Sequence, residues 1–112
     1  MTVEVPSEDQ EQARFVAWFR RTYPGVLIFA IPNGGARHIA TATRLKATGA
    51  VRGIPDLYIP AWRVWVEMKR QNGGRLSEEQ RQVIAYLTEI EDTVIVAHGC
   101  ADAIAHIEVM TK

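Results

Sequence analysis

The sequence is poor in several features that would point to particular classes of protein. It contains a single cysteine, Cys100, among 112 residues, which excludes an internal disulfide and a zinc site built from cysteines. No apolar run approaches the ~20 residues that a membrane span requires, and the acidic N-terminus lacks the pattern of a secretory signal peptide. We therefore expect a protein of a reducing cytoplasm, with no membrane association.

Net charge is also absent, but the charges are unevenly distributed. Thirteen Lys and Arg residues balance thirteen Asp and Glu residues. Between residues 33 and 75, however, eight basic residues accompany only two acidic ones, so the middle of the chain is basic and both ends are acidic. A neutral protein with such a distribution can present a positive surface to phosphates. The simpler interpretation is that these side chains are only solvated.

Nearly half of the residues, 47%, are hydrophobic, which suits one compact domain over residues 1–112 with one core. No repeat, linker or low-complexity tract divides it. Helical and alternating periodicities predict the order α-β-α-β-β-α-β-α and a mixed α/β domain. The predicted helices cover 8–23, 38–48, a segment that begins after Ser77, and 101–110. The predicted strands cover 26–32, 56–59, 63–69 and 93–97, and the mostly apolar strand 26–32 is expected to be buried on both faces.

The stretch GIPDLYIPAWRVWVEMKR, residues 53–70, places charges inside strand-like apolar runs. Side chains alternate across a strand, so Glu67 and Lys69 share one face, about 7 Å apart along the strand. A hairpin would return Asp56 to the same end of the sheet. A buried carboxylate requires compensation. Either Lys69 neutralises the carboxylates in an ion pair, or a metal completes the site.

The first predicted helix offers a third carboxylate. On a helical wheel Glu8 falls within the apolar face that contains Phe15 and Phe19, whereas Glu11 falls at its edge, towards Trp18. Oxygen ligands without His or Cys clusters suit Mg²⁺ or Mn²⁺. Such a metal could activate water and neutralise charge on a phosphodiester. The basic middle of the chain would then hold the nucleic-acid backbone.

Four short motifs, taken in order, resemble one nuclease group. G-I-P-D at 53–56, ten residues, and E-M-K at 67–69 resemble the PD-(D/E)XK nuclease superfamily. S-E-x-x-x-Q at 7–12, F-A-I-P-N-G-G at 29–35 and G-x-L-S-x-E-Q at 74–80 narrow the resemblance to its VRR-NUC family, the virus-type replication-repair nucleases. The resemblance covers nearly the whole chain. It implies a single nuclease domain with a mixed central sheet flanked by helices.

The resemblance also implies metal-dependent cleavage of DNA. Family members from phages and bacteria that consist of this domain alone look like structure-specific endonucleases, and they resemble Holliday-junction resolvases in being dimeric. The resemblance therefore implies branched DNA as the substrate. It also implies a bacterial or phage-infected cytoplasm as the location. By position, Asp56, Glu67 and the Met68 backbone carbonyl would bind Mg²⁺ or Mn²⁺. Lys69 would be the catalytic lysine, and Glu8 an outer or second-metal carboxylate.

Gln80 would lie at the edge of this site, although a capping box with Ser77 is by itself a sufficient reason for a glutamine there. Asn33 and Gly34 form either a plain turn or a backbone approach to DNA. The residues expected to contact nucleic acid are Asn33, Gly34, Arg37, Arg44, Lys46, Arg52 and Arg70.

Three alternatives stay open at this point. The chain could be a flap- or single-strand-directed nuclease, or a DNA-binding module that keeps the nuclease fold without catalysis. It could also be a small α/β interaction protein in which Glu67 and Lys69 form only a salt bridge. The presence of Asp56, Glu67 and Lys69 together favours an enzyme.

Overall fold

The structure, a computed structural model, describes residues 4–32 and 39–112, the second range with side chains from residue 43 onward. The predicted order of helices and strands is confirmed. Among the helices so described, none is both long and apolar enough to span a bilayer. The elements are α1 (Glu8–Thr22), β1 (Phe29–Ala30), α2 (Ile39–Ala47), β2 (Leu57–Ile59), a 3-10 turn (Pro60–Trp62), β3 (Val64–Lys69), α3 (Glu78–Glu89), β4 (Thr93–His98) and α4 (Cys100–Met110).

The strands form a mixed sheet in the order β1-β2-β3-β4. β2 pairs antiparallel with both β1 and β3, and the register of the hairpin places Leu57 opposite Val66. β3 and β4 run parallel, because the intervening α3 returns the chain to the same end of the sheet. β3 therefore lies between two neighbours and is held along its whole length.

One face of the sheet carries the core. Alternation along β3 sends Val64, Val66 and Met68 to this face, where all three are fully buried. α1 and α4 pack over it. The core consists of Phe15, Phe19, Ile28, Leu57, Ile59, Val64, Val66, Met68, Ile95, Ala97, Ala103 and Ile107. The opposite face carries Glu67 and Lys69, and α3 approaches it at the end where Lys69 lies.

The prediction that residues 26–32 form a strand buried on both faces is wrong. Only Phe29 and Ala30 pair as a strand, and both are exposed. Among the strands of the described residues, β1 is the edge of the sheet and has β2 as its one neighbour. Ile28 reaches the core, but Leu27 remains 62% exposed. An apolar run reports the hydrophobicity of a segment and not the number of strands beside it, so an edge strand can have the composition of a central one.

Both long helices that flank the site begin with a capping box. Ser7 Oγ accepts from the Gln10 amide N–H at 3.2 Å, and the Ser7 N–H donates to Gln10 Oε1 at 2.9 Å. Ser77 and Gln80 repeat this exchange at 3.1 and 2.8 Å. Two of the otherwise unpaired N-terminal groups are satisfied in each helix, which fixes where α1 and α3 begin.

The far end of the hairpin is tied to the loop between α3 and β4. Arg63 leaves the 3-10 turn with a φ of 54°, and its Nε donates to Asp92 Oδ1 at 2.7 Å. The Trp65 indole N–H donates to Asp92 Oδ2 at 2.9 Å. The indole hydrogen bond, followed by the bond and charge of Arg63, lowers the pKa of Asp92. This triad holds β3 in register with β4 at the end opposite the charged site.

Gly53 packs the loop before β2 onto the first turn of α3. Its φ is +91°, and a Cβ at this position would lie 2.5 Å from the Glu79 carbonyl carbon and 2.8 Å from the Gln80 nitrogen. Both the left-handed backbone and the close approach require glycine. The contact sets the distance between the loop that carries Asp56 and the helix that carries Gln80.

We predict that Gly53→Ala lowers the free energy of unfolding by about 2–4 kcal/mol, since it combines an unfavourable φ with a backbone overlap. Urea unfolding measures the change. Gly25→Ala is the matched control, because no atom of the described residues, apart from its chain neighbours, lies within 4 Å of a Cβ at that position. Its effect should stay within about 0.5 kcal/mol. Equal stabilities for the two variants would contradict the packing described here.

Candidate active site

The site is built where β2 begins and β3 ends. Asp56 directly precedes β2, and the hairpin register that pairs Leu57 with Val66 places Asp56 opposite Glu67. Asp56 Oδ2 accepts a hydrogen bond from the Met68 amide N–H at 2.7 Å. The predicted convergence of Asp56 and Glu67 is thus present, and a backbone amide holds the aspartate in place.

Met68 contributes to two environments at once. Its side chain is fully buried in the core. The Lys69 carbonyl accepts from the Gly99 N–H of the β4 side at 3.0 Å. The backbone N–H and C=O groups of successive residues point to opposite sides of a strand. Because those of Lys69 point towards β4, the N–H and C=O groups of Met68 point towards β2 and Asp56. Its carbonyl is therefore directed to the edge of the hairpin at which the carboxylates meet.

Glu67 is the most strongly perturbed group of the site. The side chain is 2% exposed, and its Oε1 is buried without a hydrogen-bond partner in the described part of the chain. Burial, followed by hydrogen bonding to Asp56 and the charge of Asp56, raises the pKa of Glu67 to about 9. The charge of Lys69 lowers the pKa but does not offset these effects. The positive charge of Lys69 therefore compensates the carboxyl pair only in part.

Lys69 lies beside this pair and is held by α3. It is 8% exposed, and its Nζ donates to Gln80 Oε1 at 3.1 Å. The same oxygen accepts the Ser77 N–H of the capping box. Gly74 packs against the aliphatic part of the lysine, so closely that a Cβ there would lie 2.9 Å from Lys69 Cβ. Gln80 thus caps a helix and orients Lys69 with one oxygen.

Glu8 approaches the pair from α1. Its side chain is half-buried, and it is near enough that its negative charge contributes to the raised pKa of Glu67. The helical wheel correctly directed Glu8 inward. The same wheel placed Glu11 at the edge of the apolar face, and this is wrong, since Glu11 is 2% exposed. Its spacing of four and eight residues from Phe15 and Phe19 was the signal for its burial.

The donor set fits a hard divalent cation. Within residues 4–32 and 39–112, no three His, Cys, Asp or Glu side chains form a cluster that would enclose a metal by themselves. The available donors are the Asp56 and Glu67 carboxylates, the Met68 carbonyl and, farther out, Glu8. Mg²⁺ keeps several waters and takes one or two protein carboxylates, so this partial set of oxygens suits it. Glu67 Oε1, which has no hydrogen-bond partner in the part of the chain that the structure describes, is the atom that such a cation would satisfy.

The predicted nucleic-acid contacts divide into two groups. Arg44 and Lys46 of α2, Arg52 in the loop before β2, and Arg70 directly after β3 are all exposed. Asn33, Gly34 and Arg37 lie outside the described residues. Among the exposed cations, Arg70 is next to Lys69 in sequence, which places it at the edge of the site.

Comparison with known proteins supports the architecture. No family model matches the chain, and no curated protein matches it in sequence. A solved structure described as a "VRR_NUC domain protein" superposes with a TM-score of 0.77 at 22% sequence identity, over 95% of this chain and 88% of that one. The fold is that of a VRR_NUC domain. At this identity the similarity establishes the fold, and the fold implied by the sequence motifs is confirmed.

On the VRR_NUC fold, the carboxyl pair produces a testable pH dependence. The pKa of Glu67 rises from an ordinary value of 4.5 to about 9 on folding, so the native state binds a proton that the unfolded state releases. The resulting stabilisation is complete below the unfolded pKa and is lost as pH rises through the folded value. In EDTA, the melting temperature of the wild-type protein should therefore decrease as the pH rises from 4.5 to about 9.

Glu67→Gln removes this titration and leaves the other titrating groups in place. We predict that the difference in free energy of unfolding between Glu67→Gln and wild type grows in favour of the variant as pH rises. Denaturant unfolding in EDTA at several pH values measures it. Parallel pH profiles for the two proteins would contradict a protonated, buried Glu67.

Proposed function

We propose that the protein is a Mg²⁺- or Mn²⁺-dependent DNA endonuclease that hydrolyses phosphodiester bonds. The observation that supports this most is the buried Glu67 beside the half-buried Asp56 and a lysine that is held in place. Glu67 Oε1 has no hydrogen-bond partner among the described residues. A purely structural ion pair would neutralise these groups, whereas here the pKa of Glu67 stays far above its ordinary value. Burial without compensation is typical of a functional site.

Asp56, Glu67 and the Met68 carbonyl would hold the cation, with Glu8 as an outer or second-metal ligand. When bound, such a metal would lower the pKa of its water and stabilise charge on the phosphate. The protein fixes the donors beforehand. Asp56 is oriented by the Met68 amide, and Met68 is anchored in the core.

Lys69 supplies positive charge on the other side of Glu67. Its ammonium group donates to Gln80, which leaves further donor hydrogens for a phosphate oxygen or for the attacking water. An ammonium group held in position stabilises the negative charge that develops during phosphodiester cleavage without reorganising at that moment. We assign Lys69 the catalytic role and Gln80 the role of orienting it.

The DNA backbone would be held by exposed cations around the site. Arg44, Lys46, Arg52 and Arg70 are exposed, and Asn33, Gly34 and Arg37 complete the proposed contacts. These residues bind phosphates, so they would position the substrate without reading its sequence. Contacts to phosphates alone favour an enzyme that recognises the shape of its DNA substrate and not its base sequence.

We further propose branched DNA, in particular the four-way junction, as the substrate, and a homodimer as the active form. One chain carries one site, whereas resolving a junction requires two symmetric nicks, which a two-fold dimer supplies. The whole chain would act as one nuclease domain in a reducing bacterial or phage-infected cytoplasm, for which a lone Cys100 is suitable.

Cleavage of a DNA panel tests the proposal directly. With Mg²⁺ or Mn²⁺ the protein should cut four-way junctions in preference to linear duplex, flaps and single strands, and EDTA should abolish cutting. Lys69→Ala and Asp56→Asn should each reduce the rate by roughly 100-fold or more.

Lys112→Ala and Asp9→Asn are controls with the same changes at exposed positions, and they should cut at the wild-type rate. If no DNA in the panel is cut with either metal, the enzyme assignment fails. Cutting confined to flaps or single strands would reject only the junction preference.

Gln80 allows its two roles to be separated. Gln80→Glu keeps an acceptor oxygen for Ser77 and Lys69, so it should retain stability and most activity. Gln80→Ala should lose about 1 kcal/mol of stability, as a helix cap does, and roughly 10- to 100-fold in kcat, because Lys69 is no longer oriented.

Gln10→Ala is the matched control, since Gln10 occupies the same capping-box position on α1 without holding a lysine. It should lose similar stability and leave kcat unchanged. Equal kcat values for Gln80→Ala and Gln10→Ala would show that Gln80 only caps its helix.

A further inference from the structure

Glu11 is a buried carboxylate that the proposed reaction does not use. Its Oε2 accepts from Gln71 Nε2 at 2.8 Å, and its Oε1 accepts from the Cys100 amide N–H at 3.2 Å. These partners lie in the segment after β3 and at the first residue of α4. One side chain of α1 therefore contacts both the segment that follows β3 and the start of α4.

The contact with α4 replaces a cap that the helix does not supply. Gly99 occupies the N-cap position of α4 and has no side chain to accept from the first amides. Glu11 takes that place, and a carboxylate at a helix N-terminus is favourable for the dipole as well. Burial and then the charge of Glu11 raise the pKa of the Cys100 thiol, which is consistent with a carboxylate beside it.

The packing around Glu11 leaves little freedom. Gly99 has a φ of +97°, and a Cβ there would lie 2.7 Å from Glu11 Oε2 and 2.9 Å from Gln71 Cγ. The Gly99 N–H also donates to the Lys69 carbonyl. Lys69 and Gln71 are thus both anchored at this junction, one through the backbone and the other through Glu11.

Glu8 lies one turn before Glu11 on α1, and residues three apart on a helix are neighbours on one face. The rotation and depth of α1 that place Glu11 against Gln71 and Cys100 consequently decide where Glu8 points. Glu8 is the proposed outer carboxylate of the site, and its negative charge lies near enough to Glu67 to contribute to the raised pKa of that group.

We infer that Glu11 is a positioning residue that sets the approach of Glu8 to the metal site by fixing α1 against the end of β3. This inference rests on the proposed metal-dependent function and concerns the outer ligand alone. Its signature is that Glu11 contributes to metal affinity only through Glu8.

A double-mutant cycle tests this directly. Mn²⁺ binding is measured by calorimetry without DNA for wild type, Glu8→Gln, Glu11→Gln and the double variant. Each single variant should bind Mn²⁺ roughly tenfold more weakly, because one loses the carboxylate and the other its placement. The double variant should bind within about twofold of Glu8→Gln, since an indirect effect disappears once its target is removed.

Three outcomes would overturn the inference. They are an unchanged Mn²⁺ affinity in Glu11→Gln, an unchanged Mn²⁺ affinity in Glu8→Gln, and a weakening by Glu11→Gln that has the same factor in both backgrounds. If wild-type protein binds no Mn²⁺, the proposed function itself fails, which is a separate result.

The variants are chosen to keep the fold. Glu11→Gln retains an oxygen for the Cys100 amide and loses only the acceptor for Gln71. Gln71→Leu serves if Glu11→Gln does not fold, since it removes the same bond from the exposed partner. It should weaken Mn²⁺ binding in the wild-type background and not in Glu8→Gln, and wild-type affinity would overturn the inference. Asp9→Asn controls for the loss of one negative charge on α1 and should bind like wild type.

Discussion

The placement of the half-buried Asp56 against the buried Glu67 is the constraint around which the rest of the structure is arranged. The burial of Glu67 and the Asp56 carboxyl group beside it disfavour ionisation of Glu67. The pKa of Glu67 rises to about 9 for this reason. Hydrophobic packing does not relieve such a pair, and only a proton or a cation does. The two carboxyl groups stay together because the packing of the rest of the protein is stable enough to hold them in place.

That support comes from β3. It has neighbours on both sides, and alternate side chains reach the core while the others reach the site. Met68 illustrates this division, since its side chain is packed in the core and its amide orients Asp56. A carboxylate on a central strand cannot move away from its neighbour without disrupting the core behind it. The electrostatic strain is therefore retained at the site.

The helices position the outer groups by the same principle. α3 begins at a capping box whose glutamine oxygen also binds Lys69, and Gly53 sets how closely the Asp56 loop approaches that helix. α1 brings Glu8 to the pair, and Glu11 ties α1 to the end of β3. In each case a group needed for local structure has a second contact that orients the site. Stability and the proposed chemistry thus depend on the same few residues.

The sequence by itself determined the local features of the protein. Capping boxes, strand alternation and hairpin spacing act over a few residues, so the order of elements, the shared face of Glu67 and Lys69, and the inward direction of Glu8 could be predicted from them. The tertiary structure alone decided which strand forms the edge of the sheet and which groups satisfy the buried Glu11 carboxylate. The number of neighbours around a strand, and the partner that satisfies a buried carboxylate, are set by segments distant in the chain. Gln71 and Cys100 lie 60 and 89 residues from Glu11, and no local pattern encodes such contacts.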